Sequence, residues 1–196
     1  MQAGHTNATY EQMIEGMQAR IMHVTHLFNA MSRIHHRDPG TVGAVFIHPE
    51  LSCEVIADGI HIHPEIIKFL LRCKSLDKVV LVTDALKPTK QKKKPLIANG
   101  EEVYLDKCFY RKSDDVIAGS ALTMIDSVRN IVSYGFRLEE AVHMAATNPA
   151  RIMRKDHLGV LAPGYDADVV VLSPKLNVLY TIIQGKIYNK GKRICV

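Results

Sequence analysis

Apolar residues along the chain alternate between two periods, and this predicts an α/β protein. Near the start, Met13, Ile14, Met17 and Ile21 recur at helical spacing, with Asn7 as the expected N-cap and Tyr10 and Glu11 in the first turn. Residues 21–25 form a short apolar run that reads as a buried strand ending at His26. Residues 35–41 (HHRDPGT) read as a loop, and 42–47 as a short apolar segment. CEVIA (53–57) is a strand broken by Asp58 and Gly59. Pro64 suits the first turn of a helix carrying Ile66, Ile67, Leu70 and Leu71. KVVLVT (78–83) is a second near-continuous apolar strand, followed by Asp84. Two such strands flanking a helix define a βαβ unit with parallel pairing.

After Asp84 the pattern changes. Residues 88–99 read as a long loop and 100–111 as a hairpin. Residues 117–120 lead into a helix over 122–133, for which Ser120 is a suitable cap. Helices follow over 138–146 and from Asn148 to about Met153. The tail is β: strands at 167–172, 178–183 and 186–189, with Gln184-Gly185 as a tight turn.

The chain has 196 residues and is 47% hydrophobic, enough for one sizeable domain with an appendage. No apolar run approaches the roughly 18 residues of a membrane span, and the N-terminus lacks the pattern of a secretory signal, so a cytoplasmic protein without a membrane partner is expected. Cys53, Cys73, Cys108 and Cys195 are scattered without a C-x-x-C pair, which suits reduced thiols. The net charge of +5 is concentrated in KPTKQKKKP (87–95). With no interleaved aromatics, that run reads as a solvated loop and not as a nucleic-acid surface.

Candidate chemistry sits where apolar strands end. His5 precedes the first helix, His26 closes VTH, Asp58 and His61 follow EVIA, and Asp84 closes VVLVTD. In α/β barrels the active site lies at the carboxyl ends of the strands, so residues distant in sequence converge on one rim. Imidazoles suit zinc and similar divalent ions, and a nearby carboxylate can shuttle a proton. Each residue also has a plainer explanation: a lone histidine is more often structural, and Asp58-Gly59 is first of all a turn signal. His23, His35, His36, His48, His63, His143 and His157 read as surface or hydrogen-bonded histidines.

GHTNATYEQ, THLFNAM, RDPG, IADGIHIHPE, LVTDA, AGSALTMIDSVRN, ATNPAR and LGVLAPGYDADVVVL occur in this order. Together they resemble the N-acetylglucosamine-6-phosphate deacetylases of the amidohydrolase superfamily, from Gly4 to about Asn189. The resemblance implies that His5 and His26 bind one divalent metal ion, zinc first, with iron, cobalt or another divalent ion as alternatives. It implies Asp84 as general acid/base, His61 as a substrate contact, and Asn29 and Ala30 as the turn that binds the sugar phosphate. It also implies a homodimer or higher oligomer in which Arg37 reaches the phosphate held by the neighbouring subunit, where a guanidinium suits the dianion. The matched segments correspond to the fifth to eighth strands of the family's barrel. The expected fold is therefore the C-terminal half of a (β/α)8 TIM-type barrel over residues 1–156, plus C-terminal strands of a small β accessory domain over 157–196. The family's metal-binding glutamate has no counterpart here. The rival expectation is a non-catalytic fragment that binds a sugar phosphate or dimerises.

Overall fold

The computed structural model describes residues 1–92 and 94–189, together with the backbone of 192–193. Helix α1 (Tyr10–Gln18) starts after Thr9, not Asn7. The Thr9 hydroxyl accepts the Gln12 N–H at 3.3 Å and the Gln12 side chain accepts the Thr9 N–H at 2.9 Å. This reciprocal capping box satisfies two backbone donors that Asn7 is too far upstream to reach. Strand β1 (His23–Val24) is shorter than its apolar run, because the Ile21 N–H is still committed to Gly16 at the exit of α1. The apolar 42–47 segment belongs to a helix, α2 (Gly40–Ile47), buried from Gly40 to Val45. A helix apolar on every side has no period to announce it.

Strand β2 (Ser52–Ile56), helix α3 (Pro64–Cys73) and strand β3 (Val79–Val82) form the expected βαβ unit. The three strands pair in parallel in the order β1-β2-β3, with Val24 opposite Cys53, Val55 opposite Leu81 and Ile56 opposite Val82. Ala3 bridges Val24 in parallel on the other edge. Side chains alternate across the sheet. Val24, Cys53, Val55, Val79 and Leu81 join Met13, Val42, Ile67, Leu70, Val128, Ile131 and Met144 in the main core. The opposite face carries His23, Ser52 and Glu54.

One buried cation supports this layer. Lys74, just past α3, is 5% exposed and its ammonium donates to the carbonyls of Val45 at 2.7 Å and His48 at 2.6 Å. It thereby satisfies the C-terminal end of α2, where a positive charge also meets the helix dipole favourably.

The excursion after β3 is an antiparallel sheet of β4 (Leu96–Ala98), β5 (Glu101–Asp106), β6 (Cys108–Arg111) and β7 (Ile117–Gly119), paired in chain order. Thus part of the anticipated 88–99 loop is strand. Lys93, inside the basic run, lies outside the described residues. Helix α4 (Met124–Ser133) follows, with Thr123 and not Ser120 at the N-cap position, its hydroxyl donating to the Asp126 carboxylate. The expected 138–146 helix is α5 (Leu138–Val142) continuing into a wider π turn over His143–Thr147, and then α6 (Asn148–Ile152). Asn148 is fully buried and donates to the carbonyls of Leu76 and Val79, which fastens this stretch to the start of β3.

The tail is a separate antiparallel sheet of β8 (Val169–Leu172), β9 (Val178–Ile183), β10 (Lys186–Asn189) and β11 (Lys192–Arg193), in the order β11-β10-β9-β8. Its β9–β10 turn has positive φ at both Gln184 and Gly185, the geometry a two-residue hairpin requires. Cys53, Cys73 and Cys108 are free thiols, and Cys195 lies outside the described residues. Among the described residues no helix is long and apolar enough to cross a membrane.

Candidate active site

Strand register explains which residues meet. Ala3 bridges Val24, so the chain two residues further on brings His5 beside His26. Their rings are 4.7 Å apart, edge to face. Ile56 pairs with Val82, so Asp58 and Asp84, each two residues beyond, leave the sheet side by side at the same end. The carboxyl ends of the parallel strands therefore present His26, Asp58 and Asp84 in strand order, with His5 at the open edge.

The backbone at this rim is unusual. His5, His26, Phe28, Ala30 and Asp84 all have positive φ without being glycine. Such conformations cost roughly 1 kcal/mol or more each and persist where surrounding contacts enforce them. The turn after His26 is enforced by Asn29, whose side-chain amide donates to the carbonyls of His26 and Leu27, both at 3.1 Å. Its backbone N–H also reaches the His26 carbonyl at 3.0 Å. Ala30 lies exposed at the tip of that turn.

Below the rim, Glu54 ties the strands together. One carboxylate oxygen meets His23 Nε2 at 3.1 Å, and the other accepts the His26 N–H at 3.3 Å. His23 Nδ1 is 2.7 Å from the Ser52 hydroxyl, so this buried histidine has a partner on both nitrogens. Burial works against ionisation of Glu54, but the His23 ring and the His26 amide outweigh it and hold the carboxyl below its usual range.

The Asp58 loop is equally well defined. One Asp58 oxygen accepts the N–H groups of Ile60 and His61, both at 2.9 Å, and the other meets His61 Nδ1 at 2.6 Å. Both side chains are nearly inaccessible, at 7% and 4% exposure. Burial opposes the charged form of Asp58, yet the ring and the two amides prevail, so its carboxyl also ionises below the ordinary range. From helix α4, Asn130 donates to the Ala57 carbonyl at 2.7 Å and steadies the entry to the loop.

Asp84 is exposed, and its carbonyl accepts the Ser120 N–H at 2.8 Å. The buried Ser120 hydroxyl donates to the Thr83 carbonyl and accepts the Leu122 N–H at 3.0 Å. Ser120 thus braces the end of β3 instead of capping a helix. Arg37 lies in an exposed loop and, among the described residues, contacts only His35 and His36.

The structure thus brings His5 to His26 and Asn29 to the His26 turn, and sets His61 and Asp84 on the neighbouring strand ends. Arg37 makes no hydrogen bond to any of these residues. Glu54 and the orienting contact of Asp58 escaped the sequence. The Asp-Gly turn signal pointed to Asp58, whereas nothing in the spacing linked Glu54 to His23 or His26.

His26 Nδ1 is buried and has no hydrogen-bond partner. An unsatisfied imidazole nitrogen in a ring that packs against a second imidazole fits a divalent cation held by the two histidines. Among the described residues, no group of three or more potential ligands is present.

Residues 1–188 match the amidohydrolase family, and the chain belongs to it. It has the α/β fold of that superfamily. It is similar to N-acetylglucosamine-6-phosphate deacetylase of Lysinibacillus sphaericus, at 37% identity over 94% of this chain and 48% of that protein. It is likewise 37% identical to N-acetylgalactosamine-6-phosphate deacetylase of Escherichia coli O157:H7, over 94% of this chain and 49% of the other. The crystal structure of N-acetylglucosamine-6-phosphate deacetylase from Thermotoga maritima superposes with a TM-score of 0.91 at 29% identity, covering 96% of this chain and 53% of that one. The chain spans about half the length of the curated relatives it matches.

Proposed function

We propose that this chain carries the C-terminal part of a metal-dependent deacetylase acting on an N-acetylhexosamine 6-phosphate, releasing acetate and the free amino sugar phosphate. N-Acetylglucosamine 6-phosphate is the first candidate, and the galactosamine epimer is the alternative raised by the second relative. The observation that carries the reading is the His5–His26 pair at the strand ends, with its unsatisfied buried nitrogen.

In this reading residues 1–156 are the C-terminal half of a (β/α)8 barrel, and 157–196 are strands of an accessory sheet. The parallel β1-β2-β3 order supports the first part. The second is supported by the exposed apolar residues Val170, Leu179 and Ile183 on β8 and β9, which further strands would cover. His5 and His26 hold one divalent ion, with zinc favoured by imidazole donors. When bound, such an ion acidifies a water and polarises the acetamide carbonyl. Asp84, exposed at the rim, takes a proton and delivers it to the leaving amine. His61 contacts the sugar, the Asn29–Ala30 turn receives the phosphate, and Arg37 serves a neighbouring subunit in a dimer, which suits its exposure to solvent. Scattered, unpaired cysteines suit a cytoplasmic setting.

The test is elemental analysis of the chain and of His26→Ala, each complemented with the remaining barrel half as a second polypeptide, followed by acetate release from the same complexes. About one divalent ion per chain, lost in the variant, and acetate release only from the complemented native chain are expected. Failure of the complemented, metal-loaded protein to release acetate from either epimer would sink the proposal. Phosphosugar binding that is indifferent to metal would favour a binding module instead.

A further inference from the structure

Asp58 makes more contacts than a turn needs. The two backbone N–H groups of Ile60 and His61 both converge on Oδ1, and this alone would close the Asx turn. Oδ2 is left for the His61 ring, at 2.6 Å from Nδ1. An ionised carboxylate only accepts hydrogen bonds, so Nδ1 must carry a proton. In the neutral ring the Nε2 atom is then an unprotonated acceptor. Among the described residues no partner is recorded for Nε2, and it is not among the sealed, unsatisfied atoms. The ring cannot rotate away, because its side chain is 4% exposed and pinned from the Nδ1 side.

We propose that Asp58 is a positioning residue that fixes His61 as the Nδ1–H tautomer and so presents Nε2 as a lone-pair acceptor for a hydroxyl of the sugar ring. The substrate half of this inference rests on the function proposed above, whereas the tautomer half rests on geometry alone. The loop supplies its own control. In Asp58→Asn, the two backbone N–H groups still require an oxygen acceptor, so the amide oxygen stays on them. The NH2 group then faces His61 Nδ1, which must become the acceptor, and the proton moves to Nε2. The substitution therefore keeps the turn while inverting the tautomer, which loss of packing alone would not do.

The test is nitrogen-15 NMR of the imidazole rings in the full chain near pH ~8, where an ordinary imidazole is neutral. His61→Gln identifies the resonance. Native protein should show a protonated Nδ1 and a bare Nε2, and Asp58→Asn should show the reverse, with native-like amide shifts elsewhere. Asp58→Ala serves if the asparagine variant does not fold, and should show a mixture of tautomers. With the remaining barrel half supplied, titration with N-acetylglucosamine 6-phosphate should shift His61 Nε2 in the native protein, with affinity about tenfold weaker in Asp58→Asn, the value of one hydrogen bond. A native ring protonated at Nε2, or a tautomer indifferent to residue 58, overturns the assignment. A tautomer that inverts while neither N-acetylhexosamine 6-phosphate moves His61 in either protein keeps the positioning role and overturns the substrate reading.

Discussion

Replacing Glu54 with glutamine tests the link between the sheet and the strand-end histidine. The carboxylate of Glu54 accepts from two sides, His23 Nε2 at 3.1 Å and the His26 N–H at 3.3 Å. A glutamine has one acceptor and one donor end, so either the His26 amide or the His23 ring loses its acceptor. His23 could adapt only by moving its proton to Nδ1, with the Ser52 hydroxyl accepting it while donating to the Met22 carbonyl; without that exchange a donor stays unmatched. One buried donor left unmatched costs about 1–3 kcal/mol. For a chain of this size each kcal/mol lowers Tm by ~2–4 °C, so Glu54→Gln should melt roughly 5 °C below the native chain at pH 7. The dependence on pH has a definite sign. The Glu54 carboxyl ionises below its usual range when folded. The unfolded chain therefore takes up the proton first as pH falls. The stabilisation is complete above the ordinary glutamate value of about 4.3 and disappears as pH drops through the lower folded value. The gap between the two proteins should narrow across that acid window. Equal melting temperatures at pH 7, or a gap that widens between about pH 5 and 3, would refute the reasoning.

Two further perturbations address the scaffold. Lys74→Met keeps the buried stem but leaves the Val45 and His48 carbonyls without their donor, and it should cost about 1–3 kcal/mol by urea melting, with faster amide exchange in the last turn of α2. Burial pushes the Lys74 amine below its usual range, so the native chain should gain stability relative to Lys74→Met as pH rises through that lowered value toward about 10.4. Gly159→Ala should destabilise by more than about 2 kcal/mol, because the residue sits at φ +79° and a new Cβ would lie 2.8 Å from the Ala146 carbonyl oxygen.

What the sequence disclosed follows from the range of its signals. Strands β2 and β3 and helix α3 announce themselves because a buried parallel strand is a continuous apolar run and Pro64 marks a helix start. His26, Asp58 and Asp84 stood out for the same reason, since each closes such a run. Helix α2 was not, since six successive buried residues carry no 3.6-residue rhythm. The capping position slipped from Asn7 to Thr9 because both are good caps, and only the glutamine three residues after Thr9 separates them. The His23–Glu54 contact joins residues 31 apart, and its existence depends on the register of β1 against β2. No local pattern encodes register between strands that distant. The Ser120 brace on Thr83 spans 37 residues and was hidden in the same way.

The left-handed turn after His26 bears on how this protein would change under selection. Phe28 and Ala30 hold positive φ with side chains that disfavour it, whereas glycine would adopt the same path freely. A laboratory evolution experiment rewarding thermal tolerance alone should drift toward glycine at the exposed Ala30, whereas Phe28, packed against the core beside Phe46, should be kept. An alanine at the tip trades robustness for a turn with few alternative shapes. Variation at 30 therefore distinguishes selection for a rigid turn from selection for mere persistence of the fold, and it does so without any assay of turnover.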